Sequence, residues 1–173
     1  MELPKRKDPR LKEYDYSQNG AYFVTICLNP RLSRFGTVRR GDPCGRPPVP
    51  PFVELTDLGN IAEANFAYLE TQYPVSIPAY IVMPDHIHAI FLLEQRATAR
   101  VAPTLGQIVG AYKSKVFHQC LSLYKSRNLI LGSLWQRGYY EHILRNQDDF
   151  DAAAEYIHTN PTRRLGKISQ NSL

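Results

Sequence analysis

His86 and His88 stand one residue apart inside an apolar run from Tyr80 to Leu93, and no other pair in the chain is so well spaced to act together. Side chains alternate faces along an extended segment, so both imidazoles point one way while Ile87 turns to the other side. Two imidazole nitrogens on one face can converge on a metal ion, or they can simply be solvated on an open sheet face; spacing alone supports either. A pair of ligands leaves most of a divalent ion's coordination sphere open. That suits a Lewis acid acting on a substrate oxygen better than a closed structural zinc site.

Such a centre needs a third ligand and a group that reacts. Tyr156 and Asn160 are four residues apart near the C-terminus, hence stacked on one side of a helix. Tyr156 lies about 100° round from Ile157, at the margin of the apolar stripe. A phenol and an amide oxygen could both face the ion. Equally, Tyr156 could seal the edge of the core and Asn160 could be an ordinary helix-terminal residue before Pro161. Glu155 and His158 are alternative ligands from the same segment, and Tyr139 and Tyr140 are rival nucleophiles. Trp135 and Arg137 fall in a run dense in aromatic and polar groups. On an exposed sheet they would form a stacking platform for single-stranded nucleic acid; packed inward, Trp135 would be plain core. The chain has no Gly-x-x-x-x-Gly-Lys loop, so nothing in it suggests ATP use.

The elements that would hold these groups are legible from periodicity. Residues 21–28, β-branched and aromatic, read as a buried central strand, and Phe35 to Val38 with Phe52 to Leu55 as a short ribbon. Between the ribbon strands, residues 41–51 carry five prolines and read as a mobile loop tip of extended, unpaired chain. Thr56 caps a helix running to about residue 70, with Leu58, Ile61, Ala62, Phe66 and Leu69 as its apolar stripe. Residues 76–94 form a hairpin turning at Pro84 and Asp85, which puts the histidines at the start of its second strand. Thr104 and Gln107 give a capping box for a second helix over 105–120, with Lys113 and Lys115 on its wet side. Residues 122–133 read as a connection and 134–144 as a fourth main strand. Asn146 caps a last helix ending at Pro161. Strand, helix, strand, strand, helix, strand is the split βαβ, ferredoxin-like (RRM-like) order: an antiparallel sheet, α+β, with helices on one face and an extra C-terminal helix carrying the tyrosine.

Length and composition set the frame. At 173 residues, 43% of them apolar, the chain is one domain with a real core, spanning 1–173. No apolar run is long enough to cross a bilayer and the N-terminus lacks the apolar core of a secretion signal, which makes the cytoplasm the expected compartment. Cys27, Cys44 and Cys120 are odd in number and scattered, so they suggest neither a disulfide framework nor a four-cysteine zinc site. The net charge of +5 and pI near 9.2 tilt the chain toward polyanionic partners. The most basic segment is the arm of residues 1–19, where Lys5, Arg6 and Arg10 could lie along a phosphate backbone or form a solvated tail.

Six short pieces together resemble a known family, the single-tyrosine HUH (IS200-like) transposases, and in particular the REP-associated tyrosine transposase branch. They are Tyr14 through Gly20, Phe23-Val24-Thr25, Val82 through His88, Trp135-Gln136-Arg137, Tyr140 through Ile143, and Tyr156-Ile157 followed by Asn160-Pro161. They span most of the chain in the family's order. The resemblance implies a metal-dependent endonuclease and strand transferase on single-stranded DNA. In it His86 and His88 would hold Mg²⁺ or Mn²⁺, Asn160 would occupy the place of a third, amide ligand, and Tyr156 would be the nucleophile forming a 5′-phosphotyrosyl link. It also implies hairpin DNA of the REP palindrome kind as substrate and a monomer or homodimer as the working unit; the basic and aromatic residues expected to touch that DNA are Lys5, Arg6, Arg10, Lys113, Lys115, Trp135 and Arg137. The alternative from another class is a ferredoxin-like module that binds nucleic acid without cutting it.

Overall fold

The computed structural model describes residues 19–29, 33–42, 44, 49–94 and 103–170, with side chains through residue 166. Strand β1 (Gly20–Cys27) runs through the middle of a four-stranded antiparallel sheet ordered β4-β5-β1-β6, the split βαβ arrangement expected from the element order. Its alternation decides what each face becomes. Tyr22, Val24 and Ile26 pair in register with Phe91, Ala89 and Ile87 and form the main core beneath two helices. Ala21, Phe23, Thr25 and Cys27 face the other way, with Leu92, Ile90, His88 and His86 beside them.

The main core is closed by α1 (Asp57–Gln72) and α2 (Leu105–Ser126). The Thr56 hydroxyl accepts the Gly59 N–H and donates to the Arg34 carbonyl, capping α1 and tying its start to the chain before β2. Thr104 and Gln107 form the expected capping box on α2. The ribbon of β2 (Gly36–Arg39) and β3 (Phe52–Leu55) also forms as expected. The base of its proline-rich loop is not unpaired, however. Asp42 and Val49 exchange both backbone hydrogen bonds, 3.0 and 2.8 Å, beside Gly41 at φ +69°, while residues 43 and 45–48 lie outside the described residues.

The hairpin consists of β4 (Val75–Val82) and β5 (His86–Leu93). β4 is a sheet edge, where Pro78 needs no ladder partner on its open side, and one extra residue between Ser76 and Ala79 makes a bulge there. β5 is covered on both faces, which is why its sequence is apolar almost throughout.

Three boundaries differ from those read in the sequence. α2 continues to Ser126, so much of the presumed connection is helix. β6 (Tyr140–Leu144) is shorter than the expected 134–144: Trp135 makes only an isolated bridge to Leu28, and Gly138 at φ +77° turns the chain before pairing resumes. α3 (Gln147–Gln170) runs through Pro161 instead of ending there. Proline removes one helical hydrogen bond at a cost of about 3 kcal/mol. Here Ile157, Asn160 and Pro161 are all buried against the second sheet face, and this packing offsets the loss. That face has its own small core of Ala79, Ile90, Leu144 and Ile157, flanked by Phe23 and Phe150.

Gly59 illustrates how tightly α1 is seated. A Cβ there would fall on the Phe35 carbonyl oxygen and crowd Leu55. Gly→Ala in a helix ordinarily gains about 0.5–1 kcal/mol, but overpacking against backbone costs about 1–3. Gly59→Ala should therefore lower stability in urea unfolding; a rise would show that the helix can shift away.

Candidate active site

The site forms where β5 begins, on the sheet face covered by α3. His86 and His88 share that face, their ring centroids 4.5 Å apart and their planes at 71°. Each has one ring nitrogen already engaged. His86 Nδ1 lies 2.7 Å from Asp85 Oδ1, and His88 Nδ1 lies 2.8 Å from the Thr25 hydroxyl across the β1–β5 ladder. The Asp85 carboxylate only accepts, so its contact places a proton on His86 Nδ1 and leaves the lone pair on Nε2, while the Thr25 hydroxyl holds the orientation of the His88 ring.

The electrostatics favour neutral imidazole at His88 and an ionised carboxylate at Asp85. His88 is only 6% exposed. Its burial, together with the neighbouring His86 and against the pull of Asp85, pushes its pKa down to about 3. Burial disfavours charge on Asp85, but hydrogen bonds from His86 and Arg164 and the charges behind them outweigh it, holding the carboxyl well below its ordinary range.

Helix α3 presents Tyr156, Asn160 and Arg164 at four-residue spacing along one side. The ends of this stripe are fixed by contacts. The Tyr156 ring sits edge-on to His88 with centroids 5.2 Å apart, and Arg164 donates to Asp85 Oδ1 at 2.7 Å. Asn160, between them, is 6% exposed, and among the described residues no hydrogen bond reaches its amide. Phe23 packs under the group, stacked on His88 at 5.1 Å and edge-on to Tyr156 at 5.8 Å. The Arg163 guanidinium lies over the outer face of the Tyr156 ring at 5.3 Å.

A histidine pair with its Nδ1 atoms engaged, covered by the helix stripe that carries a buried amide, offers a nitrogen and oxygen donor set for a divalent cation that keeps open positions. Among the described residues no third histidine, cysteine or carboxylate completes a metal-binding group, which leaves the Asn160 amide as the protein ligand to test. The other candidates lie elsewhere on α3. Glu155 is exposed, and His158 lines a recess on the β4 side with Phe52, Tyr80 and Pro161.

Two residues expected at a DNA surface are engaged otherwise. Lys113 is not on a wet side of α2: its ammonium donates to the Gln136 and Gly138 carbonyls, both at 2.8 Å, and burial lowers its pKa. Those carbonyls belong to the turn before β6, where strand pairing is interrupted. Trp135 is not an open stacking platform, because its Nε1 donates to the Lys113 carbonyl and its ring packs edge-on against Phe35. Lys115 lies over the Tyr68 ring at 4.4 Å, and Arg137 is exposed. Lys5, Arg6 and Arg10 lie outside the described residues.

Reading the sequence missed the roles of Thr25, Asp85, Arg163 and Arg164. The last was findable as the next step of the stripe through Tyr156 and Asn160, had Pro161 not been taken as a stop.

Comparison with known proteins gives concordant matches. The family described as "Transposase IS200 like" matches residues 56–160. An uncharacterized protein of Haemophilus influenzae is 31% identical over 173 residues, covering 90% of this chain and 88% of that protein. A REP-associated tyrosine transposase of Escherichia coli is 28% identical over 157 residues, covering 91% of this chain and 74% of that one. The solved structure of a REP-associated tyrosine transposase bound to a REP hairpin shares the fold, with a TM-score of 0.61 at 22% identity over 89% of this chain and 74% of the other.

Proposed function

The chain belongs to the IS200-like transposase family, and from that premise we propose that this tyrosine transposase nicks and rejoins single-stranded DNA beside a hairpin, with Tyr156 as nucleophile. The observation that carries the reading is the contact of the Tyr156 ring with His88, a histidine whose Nδ1 is already engaged.

In this reading His86, His88 and Asn160 would hold Mg²⁺ or Mn²⁺, and the bound ion would supply Lewis-acid polarisation of a phosphate oxygen. The rest is the work of the chain. Phe23 and His88 pack edge-on with the Tyr156 ring and fix it beside the histidine pair, and in this reading its hydroxyl is the group delivered to the phosphate. The phenol gives its proton to solvent as its oxygen bonds to phosphorus; the bond to the 3′ oxygen breaks, and that oxygen takes a proton from solvent and leaves as a free 3′-hydroxyl. Phosphodiester energy is kept in the 5′-phosphotyrosyl link, so a second 3′-hydroxyl can reverse the step without ATP. Tyrosine and histidines meet within one chain, which supports the monomer over the homodimer as the cutting unit. Hairpin DNA as substrate is supported by the hairpin-bound relative of the same fold. Arg137 is exposed and follows Gln136, whose N–H bonds the carbonyl of Cys27, the cross-strand neighbour of His86. Arg137, Lys115, Lys5, Arg6 and Arg10 are the proposed phosphate contacts.

The test is to incubate the protein with Mn²⁺ and single-stranded hairpin oligonucleotides and look for a covalent adduct on a denaturing gel. An adduct of tyrosine on a 5′ phosphate is expected. Hairpin binding without any adduct would replace the enzyme by a binding module.

The Arg164–Asp85–His86 chain ties the seating of α3 to the orientation of a proposed ligand. Losing such a supporting contact typically costs 10–100-fold in metal affinity or activity. Arg164→Ala should therefore weaken Mn²⁺ binding by about ten-fold in titration calorimetry, with Arg164→Lys retaining part of it; unchanged affinity would make the contact merely structural.

A further inference from the structure

A second feature adjoins Tyr156 and has no part in the steps above. On the β6 side of α3 lies an open hollow of about 340 Å³, walled by Phe23, His142, Leu144, Ala152 and Tyr156, with the Asp149 carboxylate at its edge. We infer that this hollow receives the base of a nucleotide next to the phosphate attacked by Tyr156, an inference that rests on the function proposed above.

Three observations carry it. The first is position. Tyr156 is at once the proposed nucleophile and a lining residue of the hollow, which makes the nucleotide flanking the attacked phosphate the group best placed to enter it.

The second is shape and chemistry. Phe23 and His142 are cross-strand partners on β1 and β6, so their side chains leave the same sheet face. Ala152 leaves room on the helix side. A mainly apolar, aromatic-walled space with His142 and Asp149 as polar groups in its lining fits a base, which has apolar faces and a hydrogen-bonding rim.

The third is the carboxylate. Asp149 Oδ2 accepts the Arg145 backbone N–H at 3.1 Å, which orients the group, and no described hydrogen bond occupies Oδ1. A carboxylate accepts only, so it favours a base presenting an amino group, such as cytosine, over thymine. The base would also bear on the Phe23 ring, which already packs on both His88 and Tyr156. Filling the hollow thus reinforces the placement of the nucleophile.

The experiment uses Ala152→Trp, because Ala152 is exposed on α3 and a large ring there plugs the hollow without entering the core. The cut is first mapped with wild-type protein. Hairpin oligonucleotides carrying 2-aminopurine on either side of that phosphate are then titrated without metal, so that binding is read apart from catalysis. Wild type should quench the fluorescence at one of the two positions by stacking, and Ala152→Trp should not. With Mn²⁺, the variant should form adduct at least about ten times more slowly on base-containing DNA, the loss expected from one stacked base. An abasic nucleotide at that position should bring the two proteins to the same rate. Asp149→Asn should narrow the preference for cytosine over thymine. Equal quenching and equal adduct rates for wild type and Ala152→Trp would overturn the subsite while leaving the proposed function standing. Failure of wild type to form any adduct would instead remove the function on which the subsite rests.

Discussion

Tyr156→Phe should form no covalent complex with DNA while still binding the hairpin as wild type does. The substitution removes one oxygen and leaves the ring, so the edge contacts to His88 and Phe23 persist. Among the described residues the phenol makes no hydrogen bond whose loss would unsettle the fold. Melting temperature and hairpin affinity should therefore match wild type, while adduct formation falls by about 10⁴-fold or more, as when a nucleophile is deleted from an assembled site. A denaturing gel with labelled DNA separates the outcomes. The informative control is Tyr140. It lies on the site face as the cross-strand partner of Thr25, which holds His88, and it is 50% exposed. Were the adduct to survive in Tyr156→Phe and vanish in Tyr140→Phe, the nucleophile would have to be moved one strand over. Tyr139 has no such claim, since it packs against the main core.

What the sequence disclosed and what it concealed divide along physical lines. Caps and periodicity are local, so Thr56, Thr104 and Asn146 located the helix starts, and alternation placed both histidines on one face. Helix ends are settled by tertiary packing, which no local pattern contains. Pro161 reads as a stop because its cost is local, while the burial that offsets it comes from the second sheet face, built by Ala79, Ile90 and Leu144 of three different strands. Lys113 looked wet for the same reason. Its helical position is polar by periodicity, yet the turn at Gln136 and Gly138 folds back over it and supplies carbonyl partners. The pairing of His88 with Thr25 and the reach of Arg164 to Asp85 are contacts across 63 and 79 residues, and only the folded chain shows them.

Replacing His86 and His88 together with alanine should abolish both Mn²⁺ binding and adduct formation, and the single variants should reach that end by different routes. His86 is partly exposed and held by Asp85, whose charge stays paired with Arg164 when the imidazole is gone. His86→Ala should therefore keep nearly wild-type stability while losing metal affinity. His88 is buried, stacked on Phe23, touched by Tyr156 and bonded to Thr25. Its truncation opens a void and strands the Thr25 hydroxyl, for which a loss of about 1–3 kcal/mol is expected. Lost activity in His88→Ala alone could therefore reflect a loosened tyrosine as much as a missing ligand. The decisive comparison is His86→Ala against a chelator. Treating wild type with EDTA should reproduce the variant's inactivity without its sequence change, and added Mn²⁺ should restore wild type but not the double variant. Hairpin binding measured without metal should be nearly equal in all of them. Strand scission retained by a folded double variant would dissociate the cut from the histidine pair and return these imidazoles to a structural role on the sheet.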